Sequence, residues 1–478
     1  MDRPRLSAAI IDELVQLFAD TLDRNAEHLL AQDLDGIEQS VQDMARIVFG
    51  PVVEKAIMAI AATLPDQPPD CPQCHRPMRP VDYARSRSLQ GLVGDYQIVR
   101  PYFVCDRCHH GSAPLDERLG IGAGVLSPGL MRVACRLGID DAFEDAADAV
   151  QETLRITLQD EGIRRVTEGI GQVAEAEAQA AIALAQAGKE PLPRDEITAD
   201  AAVLLVEMDG VMVHEVDGNW HEVKVGLVAP LGPTVREDAE TERTILVMGK
   251  PSYCAGCESA ETFWYRVYVE AYRRGLGSTL VPLIVLLGDG ADWIWRYAPT
   301  FLDVGPVQVV EILDIYHAFE HLGTVASAVF GQGSTVGGTW LERRKKDLAE
   351  QGPAPVLAAF ADLRPEDEGG AEEVRKAVGY FTEHAARMDY PTFIALQLPI
   401  GSGAIESACK TLIEEREKGA GMRWTEAGAQ SVATLRALHK SGRWAAFWKG
   451  HPQRRRPAVF PRRPVTDTRN ARRQNEAA

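Results

Sequence analysis

A change in hydrophobic periodicity at Ala201 does most to limit the folds open to this chain. From that point the sequence predicts a strand, a turn at residues 217–219, a hairpin partner and a third strand. Next come a helix that ends at Gly275 and a buried strand that stops near Asp289. A further strand leads into Asp314. Three strands, a helix and a fourth strand, with more helices and one more strand to follow, predict an α/β domain with a mixed sheet.

Two acids hold positions in this sheet that deserve a chemical explanation. Asp209 lies within the first strand between apolar neighbours, where desolvating a carboxylate that has no partner is costly. Asp289 lies where the later buried strand stops, the place where α/β sheets usually hold ligands. An acid at that place can also begin a turn or cap the next helix. Two acids on neighbouring strands would repel each other unless a cation lay between them.

A third acid lies in the stretch 401–424, GSGAIESACKTLIEEREKGAGMRW. A Gly-Ser-Gly turn there is predicted to open an amphipathic helix whose apolar stripe includes Ile405, Cys409 and Leu412. Glu406 falls off the stripe, behind a flexible entry, and can point into a cleft. The alternative is that Glu406 only favours the helix N-terminus, as acids often do.

Asp314 and His317 are three residues apart, which is about one helical turn, so both can face the same cleft. A histidine at the start of a helix can equally well be structural. The residues that follow, up to about 398, are predicted to be mainly helical, with a loose acidic loop around LRPEDEGGAEE.

Eight cysteines include three CxxC pairs, and in a reducing compartment that spacing favours a metal site over disulfides. The pairs are Cys71 with Cys74, Cys105 with Cys108, and Cys254 with Cys257. Strand-like sequence separates the first two pairs, as in a zinc ribbon, and four thiolates complete the tetrahedral shell of a structural zinc ion. His75, His109 and His110 could also serve as ligands, and four free thiols are the alternative. The third pair has no partner nearby, and no function is assigned to it.

Residues 127–187 have the periodicity of a helix-turn-helix, with a break near Arg155. Such a motif would place the helix that begins near Thr157 in the major groove of DNA, with Arg164 and Arg165 near phosphates or bases. Helical hairpins that never touch DNA have the same pattern, which leaves a structural role open.

The net charge of −18 weakens a nucleic-acid interpretation without excluding it, because the charge is unevenly distributed. Ten lysines and arginines lie between Arg443 and Arg473, where Asp467 is the only acid. Arg454, Arg455 and Arg456 are the predicted DNA contacts of this tail. A solvated tail without a ligand is the alternative.

No apolar run approaches the ~20 residues that span a bilayer, and the acidic first residues lack a signal-peptide pattern. We therefore expect a cytoplasmic protein with no membrane partner.

The acids and their surroundings together resemble a known family. VEMDGV around Asp209, LGDGADWIW around Asp289, DIYHAFEHL at 314–322 and GSGAIESACK around Glu406 are similar to motifs of bacterial insertion-sequence DDE transposases. The likeness is to the Kra-type family and, more distantly, to the Mutator group. GMRWTEAGAQSVATLRAL completes the pattern, and the resemblance extends from the first CxxC to about residue 440.

The resemblance implies a ribonuclease H-like catalytic domain in which Asp209, Asp289 and Glu406 bind two Mg²⁺ or Mn²⁺ ions, beside a structural Zn²⁺. Asp314 and His317 match an auxiliary DxxH motif. The implied activity is cleavage and strand transfer at the terminal inverted repeats of an insertion sequence, with double-stranded DNA as partner and a homo-oligomer as the working form. A catalytically inactive DNA-binding regulator and a structure-specific nuclease of the same fold are the alternatives.

The predicted parts of the chain follow from these assignments. They are a helical region at 1–66, a zinc-ribbon-like module at 67–115, a helix-turn-helix-like region at 116–190, the catalytic domain at 200–440 with a helical insertion at about 323–398, and a basic tail at 441–478.

Overall fold

The computed structural model describes residues 8–65, 67–122, 124–189, 192–195, 202–237, 244–304 and 307–454. The chain divides into two units, the first formed by residues 1–173 and 445–478 and the second by residues 174–444. None of the helices in the described ranges is both long and apolar enough to cross a membrane.

The first unit combines helices with a small antiparallel sheet. Its helices are α1 (Ala8–Leu30), α2 (Leu34–Ala61), α3 (Pro114–Arg118), α4 (Pro128–Gly138), α5 (Phe143–Leu154) and the first part of α6 (Asp160–Gln186). The strands β1 (Arg79–Gly91), β2 (Gly94–Val104) and β3 (Gly111–Ser112) pair in that order.

The turn between β1 and β2 packs against α2 and depends on a glycine. Gly94 has φ of +147°, and a Cβ on it would lie 2.6 Å from the carbonyl oxygen of Arg46 and 2.7 Å from the Cα of Gly50. Only a residue without a side chain permits this close approach of two backbones. Apolar residues of the helix and the hairpin then share one core, which includes Ile57, Leu89 and Ile98.

A buried carboxylate links the hairpin to α3. Asp116 accepts hydrogen bonds from Arg100 at 3.0 and 2.9 Å and from Arg87 at 2.7 Å. Bidentate pairing of this kind satisfies the charges that burial would otherwise penalise.

The predicted helix-turn-helix region contains α4, α5 and the start of α6. Ser127 caps α4 by accepting a hydrogen bond from the backbone N–H of Leu130. Arg155, in the left-handed conformation with φ of 56°, ends α5. The next helix begins at Asp160, where the sequence predicted a start near Thr157. The Thr157 hydroxyl donates to the Gln151 side chain.

The second unit is built on a mixed sheet. Its strands are β4 (Val203–His214), β5 (Trp220–Glu237), β6 (Thr244–Met248), β7 (Ser252–Gly256), β8 (Leu283–Gly288) and β9 (Gln308–Leu313). The order is β6-β5-β4-β8-β9, and β7 pairs with β5 as well. Strand β4 is antiparallel to β5 and parallel to β8, which is parallel to β9. A mixed α/β architecture with a mixed sheet is thus what the sequence predicted, except that β7 was not foreseen.

Helices cover both faces of this sheet. The helices that follow the first strands are α7 (Ala260–Arg274), α8 (Asp292–Leu302), α9 (Ile315–Phe330), α10 (Thr335–Gln351), α11 (Pro353–Ala361), α12 (Glu368–Glu383) and α13 (Tyr390–Ala395). A Cβ on Gly226 of β5 would meet Val267 and Phe263 of α7. Since Gly226 pairs with Met208, Met208 faces α7, and the adjacent Glu207 and Asp209 face the other side.

The stretch 401–424 is helical over only part of its length. It forms α14 (Gly403–Cys409), a π-helical turn (Lys410–Glu414) and α15 (Glu415–Glu417), and α16 (Glu426–Lys440) follows. The predicted helix ends early because two glycines follow it, and Gly421 has φ of +77°. Trp424 then makes a β-bridge with Glu215.

Glu417, at the end of α15, is a buried acid. It is 1% exposed, and neither carboxyl oxygen has a hydrogen-bonding partner among the described residues. Burial raises the pKa of Glu417 to about 8, although Arg416 and Arg436 oppose the shift. The unfolded chain loses this proton near the ordinary value of 4.5. Between these two pH values the folded state binds more protons, so the free energy of unfolding falls as pH rises.

We predict that Glu417→Gln reduces the loss of stability between pH 5 and pH 8, because the amide stays neutral at both values. The melting temperature at each pH measures the effect, and the difference between the two should shrink by a few degrees. Glu383→Gln, at an exposed position, is the control and should leave the difference unchanged. An unchanged difference in Glu417→Gln would show that this carboxyl ionises normally in the folded protein.

Candidate active site and metal centre

The register of the parallel strands brings three aspartates to one edge of the sheet. Paired residues of β4 and β8 differ by 80 in number (283 − 203), as do Asp209 and Asp289 (289 − 209). Paired residues of β8 and β9 differ by 25 (308 − 283), as do Asp289 and Asp314 (314 − 289). Extending each register by one or two residues therefore places the three carboxylates side by side where β8 and β9 end.

Helix α14 brings a fourth carboxylate to the same edge. The Ser402 hydroxyl lies 2.9 Å from Oε1 of Glu406 and 3.1 Å from Oδ2 of Asp314. One hydroxyl proton can serve only one of these oxygens at a time. The backbone N–H of Ser402 also donates to Asp314, at 3.3 Å. Ser402 thus holds the start of α14 against the strand end that carries Asp314.

These acids surround one cavity of about 140 Å³. The residues that line it are Met208, Asp209, Asp289, Asp314, Tyr316, His317, Glu320, Ser402, Ile405 and Glu406. The structure thus brings together all five of the acids and histidines that the sequence singled out for this site. None of these lining residues is a lysine or an arginine, so they contribute no permanent positive charge to the cavity wall.

Each of the two central acids accepts a hydrogen bond from a nearby backbone N–H group. Asp209 accepts from the N–H of Gly210 at 2.6 Å, and Asp289 accepts from that of Ala291 at 2.8 Å. Burial raises the pKa of Asp209, and the charges of Asp289 and Glu406 raise it further. Removing these carboxylates from water beside each other therefore costs free energy that a bound cation would offset.

The carboxylate of Asp314 accepts several hydrogen bonds from other groups of the protein. It caps α9 by accepting from the N–H groups of Tyr316 and His317, each at 3.2 Å, in addition to the two bonds from Ser402. Burial raises the pKa of Asp314 despite these bonds. Asp314 thus positions α9 and α14, and through α9 it places His317 at the cavity wall.

Two residues at this site were missed by the sequence analysis. Cys409 was assigned to the apolar stripe, and it is buried, but its Sγ lies 3.6 Å from Oδ2 of Asp209. Glu207, on the same face of β4 as Asp209, is completely buried, and neither of its oxygens has a hydrogen bond of ordinary geometry. Burial raises the pKa of Glu207 to about 8. For Cys409, the only signal in the sequence was its spacing from Glu406, which is about one helical turn.

Tyr380, on α12, is a third unforeseen residue. Its ring packs on the turn after β8, where a Cβ on Gly290 would lie 2.5 Å from the ring. The ring stacks on His321 at 3.9 Å and meets His384 edge-on at 4.8 Å. Its buried hydroxyl has no hydrogen-bonding partner among the described residues. The helical segment thus supports the turn that carries Asp289.

The first two CxxC pairs form a separate centre in the first unit. The Sγ atoms of Cys71 and Cys108, and those of Cys74 and Cys105, are 3.4 Å apart, and all four lie within 4.8 Å of one another. A tetrahedral zinc ion with bonds of about 2.3 Å separates its sulfur ligands by about 3.8 Å. The backbone of Cys108 lowers the pKa of Cys105 to about 6, which favours the thiolate. These cysteines can hold a zinc ion.

The histidines offered as substitute ligands are not in this cluster. Of the described residues, only these four cysteines form a group of three or more metal-ligating side chains gathered this closely. His75 and His109 instead occupy left-handed positions, with φ of 56° and 55°, in the turns that follow each CxxC pair. Cys254 is buried in β7, and Cys257 has its backbone N–H bound to the Gln430 side chain.

The arginines expected to contact DNA lie on α6 and in the tail. Arg164 pairs with Glu161 at 2.7 Å and with Glu168 at 2.8 Å, and Arg165 pairs with Glu161 at 2.7 Å. Their charges are therefore locally balanced. Arg454 is the last residue of α17 (Trp444–Arg454), whereas Arg455 and Arg456 lie outside the described residues.

We predict about one zinc ion per chain, measured by elemental analysis of purified protein, and its loss in Cys71→Ser/Cys105→Ser because two thiolate ligands are removed. Cys254→Ser/Cys257→Ser is the matched control and should retain the metal. Zinc retained in the first variant, or lost in the second, would exclude the four-cysteine centre.

A second prediction concerns the contact of Tyr380 with the turn at Gly290. Gly290→Ala should lower the melting temperature, because the added methyl group overlaps the ring. In Tyr380→Ala that overlap is gone, so adding Gly290→Ala should cost little more, and the two effects should be clearly non-additive. Gly379→Ala, on α12 with open space around it, is the control and should be neutral or slightly stabilising. Additive losses would show that the ring does not press on the turn.

Comparison with known proteins gives little further guidance. No protein-family model matches the chain, and no curated protein matches it. Among solved structures, the Drosophila P element transposase strand transfer complex matches with 7% sequence identity and a TM-score of 0.26, over 70% of this chain and 83% of that one. A likeness this remote assigns neither a fold family nor a function, and membership of the Kra-type family remains a prediction.

Proposed function

We propose that the chain is a DDE transposase, which cleaves DNA at the ends of an insertion sequence and joins those ends to target DNA. The observation that carries the proposal is the convergence of Asp209, Asp289 and Glu406 on one cavity. They come from β4, from the end of β8 and from a late helix, in the order Asp, Asp, Glu. Together with the sequence motifs around each acid, this arrangement favours two-metal phosphodiester chemistry.

The fold is compatible with that assignment. An antiparallel β6-β5-β4 ribbon is extended on the other side of β4 by two parallel strands. This is the layout expected of a ribonuclease H-like domain, with the acids on its first and fourth strands. Counting β4 as the first strand, Asp209 lies on the first, and Asp289 follows β8, which becomes the fourth when β7 is left out.

The donors of the cavity suit Mg²⁺ or Mn²⁺. The acids that line it offer hard carboxylate oxygens, which these ions prefer, and the cavity has room for the several waters that such ions keep. Two ions, when bound, activate a water or a DNA 3′-hydroxyl and stabilise the leaving oxygen of the phosphodiester.

The surrounding residues would fix the geometry of these ligands. Ser402 shares its hydroxyl between Asp314 and Glu406 and so couples the position of α14 to the sheet edge. Cys409 restrains one oxygen of Asp209. A hydrogen-bonded second layer of this kind orients ligand oxygens and usually contributes ten- to a hundredfold to activity or metal affinity.

We predict that Asp209→Asn, Asp289→Asn and Glu406→Gln each lower cleavage of a duplex carrying the sequences that flank the gene. The loss should be at least about 100-fold, or about 2.7 kcal/mol in the barrier, because each change removes a ligand charge. In the wild type, Mn²⁺ should also raise the melting temperature by binding the folded state, and each variant should lose most of that rise. Without metal the variants should be as stable as the wild type or more so, since fewer like charges repel.

Asp292→Asn is the matched control. Asp292 is three residues beyond Asp289, and its side chain is 65% exposed and pairs with Arg296 outside the cavity. It should keep both activity and the response to Mn²⁺. Wild-type cleavage by Glu406→Gln would remove α14 from the catalytic site. Cleaved ends that are never joined to target DNA would instead identify a nuclease.

DNA binding is proposed to depend on the basic tail and on α6. Removing residues 455–478 should weaken binding to any sequence and flatten the dependence of affinity on salt, because phosphate contacts are lost. Fluorescence anisotropy over a range of salt concentrations measures both effects.

Arg164→Ala/Arg165→Ala should instead reduce the preference for the element's ends, provided that DNA displaces Glu161 and Glu168 from these arginines. Arg375→Ala/Lys376→Ala, which removes two exposed basic residues that pair with acids of α12 in the other unit, is the control for the same change in charge. An unchanged ratio of specific to non-specific binding in the arginine variant would exclude α6 as the reading helix.

A further inference from the structure

The last motif of the sequence, GMRWTEAGAQSVATLRAL at 421–438, supplies none of the residues that line the cavity. Most of it forms α16, and the arginine near its end, Arg436, is only 3% exposed. Given the proposed function, we infer that Arg436 is a positioning residue. It holds the helix of Glu406 at the sheet edge where Asp209 and Asp289 lie.

Glu406 needs a support that the two aspartates do not need. The strand register places Asp209 and Asp289 side by side, whereas Glu406 reaches the same edge on a helix that no strand pairing fixes. The Ser402 hydroxyl holds only the start of this helix. A metal ligand must stay within about 0.5 Å of its working position, so the helix must also be held beyond its first turn.

Arg436 makes that second attachment at the π-helical turn that follows α14. In this turn the N–H of Glu415 bonds to a carbonyl five residues back, in contrast to four in an α-helix. Arg436 donates from Nε to the Leu412 carbonyl at 2.7 Å and from Nη2 to the Thr411 carbonyl. Its ion pair with Glu415 is long, at 3.8 Å. Backbone carbonyls of the ligand-bearing segment therefore help to compensate the burial of this charge.

The helix that carries Arg436 is itself bonded to the sheet. Gln430, six residues earlier on α16 (436 − 430), donates to the Ala255 carbonyl at 3.2 Å and accepts from the Cys257 N–H at 2.8 Å. Ala255 lies in β7, which pairs with β5, and β5 pairs with the strand of Asp209. A path of hydrogen bonds thus leads from the sheet through α16 to α14, and outer contacts of this kind orient metal ligands.

The test is the Mn²⁺ affinity of the full-length protein, measured from the electron paramagnetic resonance signal of free Mn²⁺. Arg436→Met removes the donors of a long side chain and should weaken binding about tenfold, as the loss of a group that orients a ligand usually does. Arg436→Lys should recover part of this loss, because an ammonium group can still donate to the carbonyls. Should Arg436→Met fail to fold, as judged by circular dichroism, Arg436→Lys replaces it with a smaller expected loss.

A double-mutant cycle with Glu406→Gln separates positioning from a general loosening of the fold. Because Arg436 acts through Glu406, Arg436→Met/Glu406→Gln should bind Mn²⁺ about as well as Glu406→Gln alone. Arg443→Met is the matched control, since Arg443 follows α16 and pairs at 2.7 Å with Glu270 of α7, on the other face of the sheet. It should lower the melting temperature and leave the Mn²⁺ affinity unchanged.

Three results would overturn this role for Arg436 and leave the proposed function standing. They are unchanged Mn²⁺ affinity in Arg436→Met, losses that simply add in the cycle, and equal affinities of the lysine and methionine variants. A wild type whose Mn²⁺ binding does not depend on Glu406 would instead overturn the two-ion site, and the role of Arg436 with it.

Discussion

The repulsion among carboxylates at one edge of the sheet is the constraint on which the second unit depends. The register of β4, β8 and β9 fixes Asp209, Asp289 and Asp314 as neighbours, so no rotamer choice can move them far apart. Burial raises the pKa of Asp209 and of Asp314, which means that ionising them costs free energy in the folded protein. The packing and hydrogen bonds of the rest of the unit must offset that free-energy cost, because they hold this edge of the sheet in place.

Different elements supply that support. The strands themselves are buried, with Ile284, Val285 and Leu286 of β8 inaccessible to solvent. On one side, Ser402 ties α14 to Asp314, and on another, Tyr380 packs on the turn after β8. Support of this kind restricts how far the carboxylates can move and so pre-organises them as ligands for a cation.

The sequence predicted the positions of the acids better than it predicted their neighbours. Asp209 within a strand and Asp289 at a strand end could be found because strand boundaries follow from local hydrophobic patterns. Ser402, Cys409 and Tyr380 could not, because their roles depend on which elements meet after folding. Strand β7 was missed because a run of five residues gives too weak a pattern. The helix predicted in 401–424 was too long because its apolar periodicity was given more weight than Gly419 and Gly421, which follow the helix in the structure.

Acidity elsewhere in the chain limits how such a site could meet DNA. Residues 443–478 carry ten basic and two acidic residues, which leaves 41 basic (51 − 10) and 67 acidic (69 − 2) residues on the remainder, a net charge of −26 (41 − 67). At physiological ionic strength charges are screened beyond about 8 Å, so the remainder does not repel a duplex held at a distance. Direct contact between the duplex and this acidic surface is unfavourable, because an acidic surface cannot replace the counterions of the phosphates. On the proposed function, the duplex must therefore reach the carboxylate edge with cations already there, and the acid-rich cavity makes metal binding a condition for DNA entry as well as for chemistry.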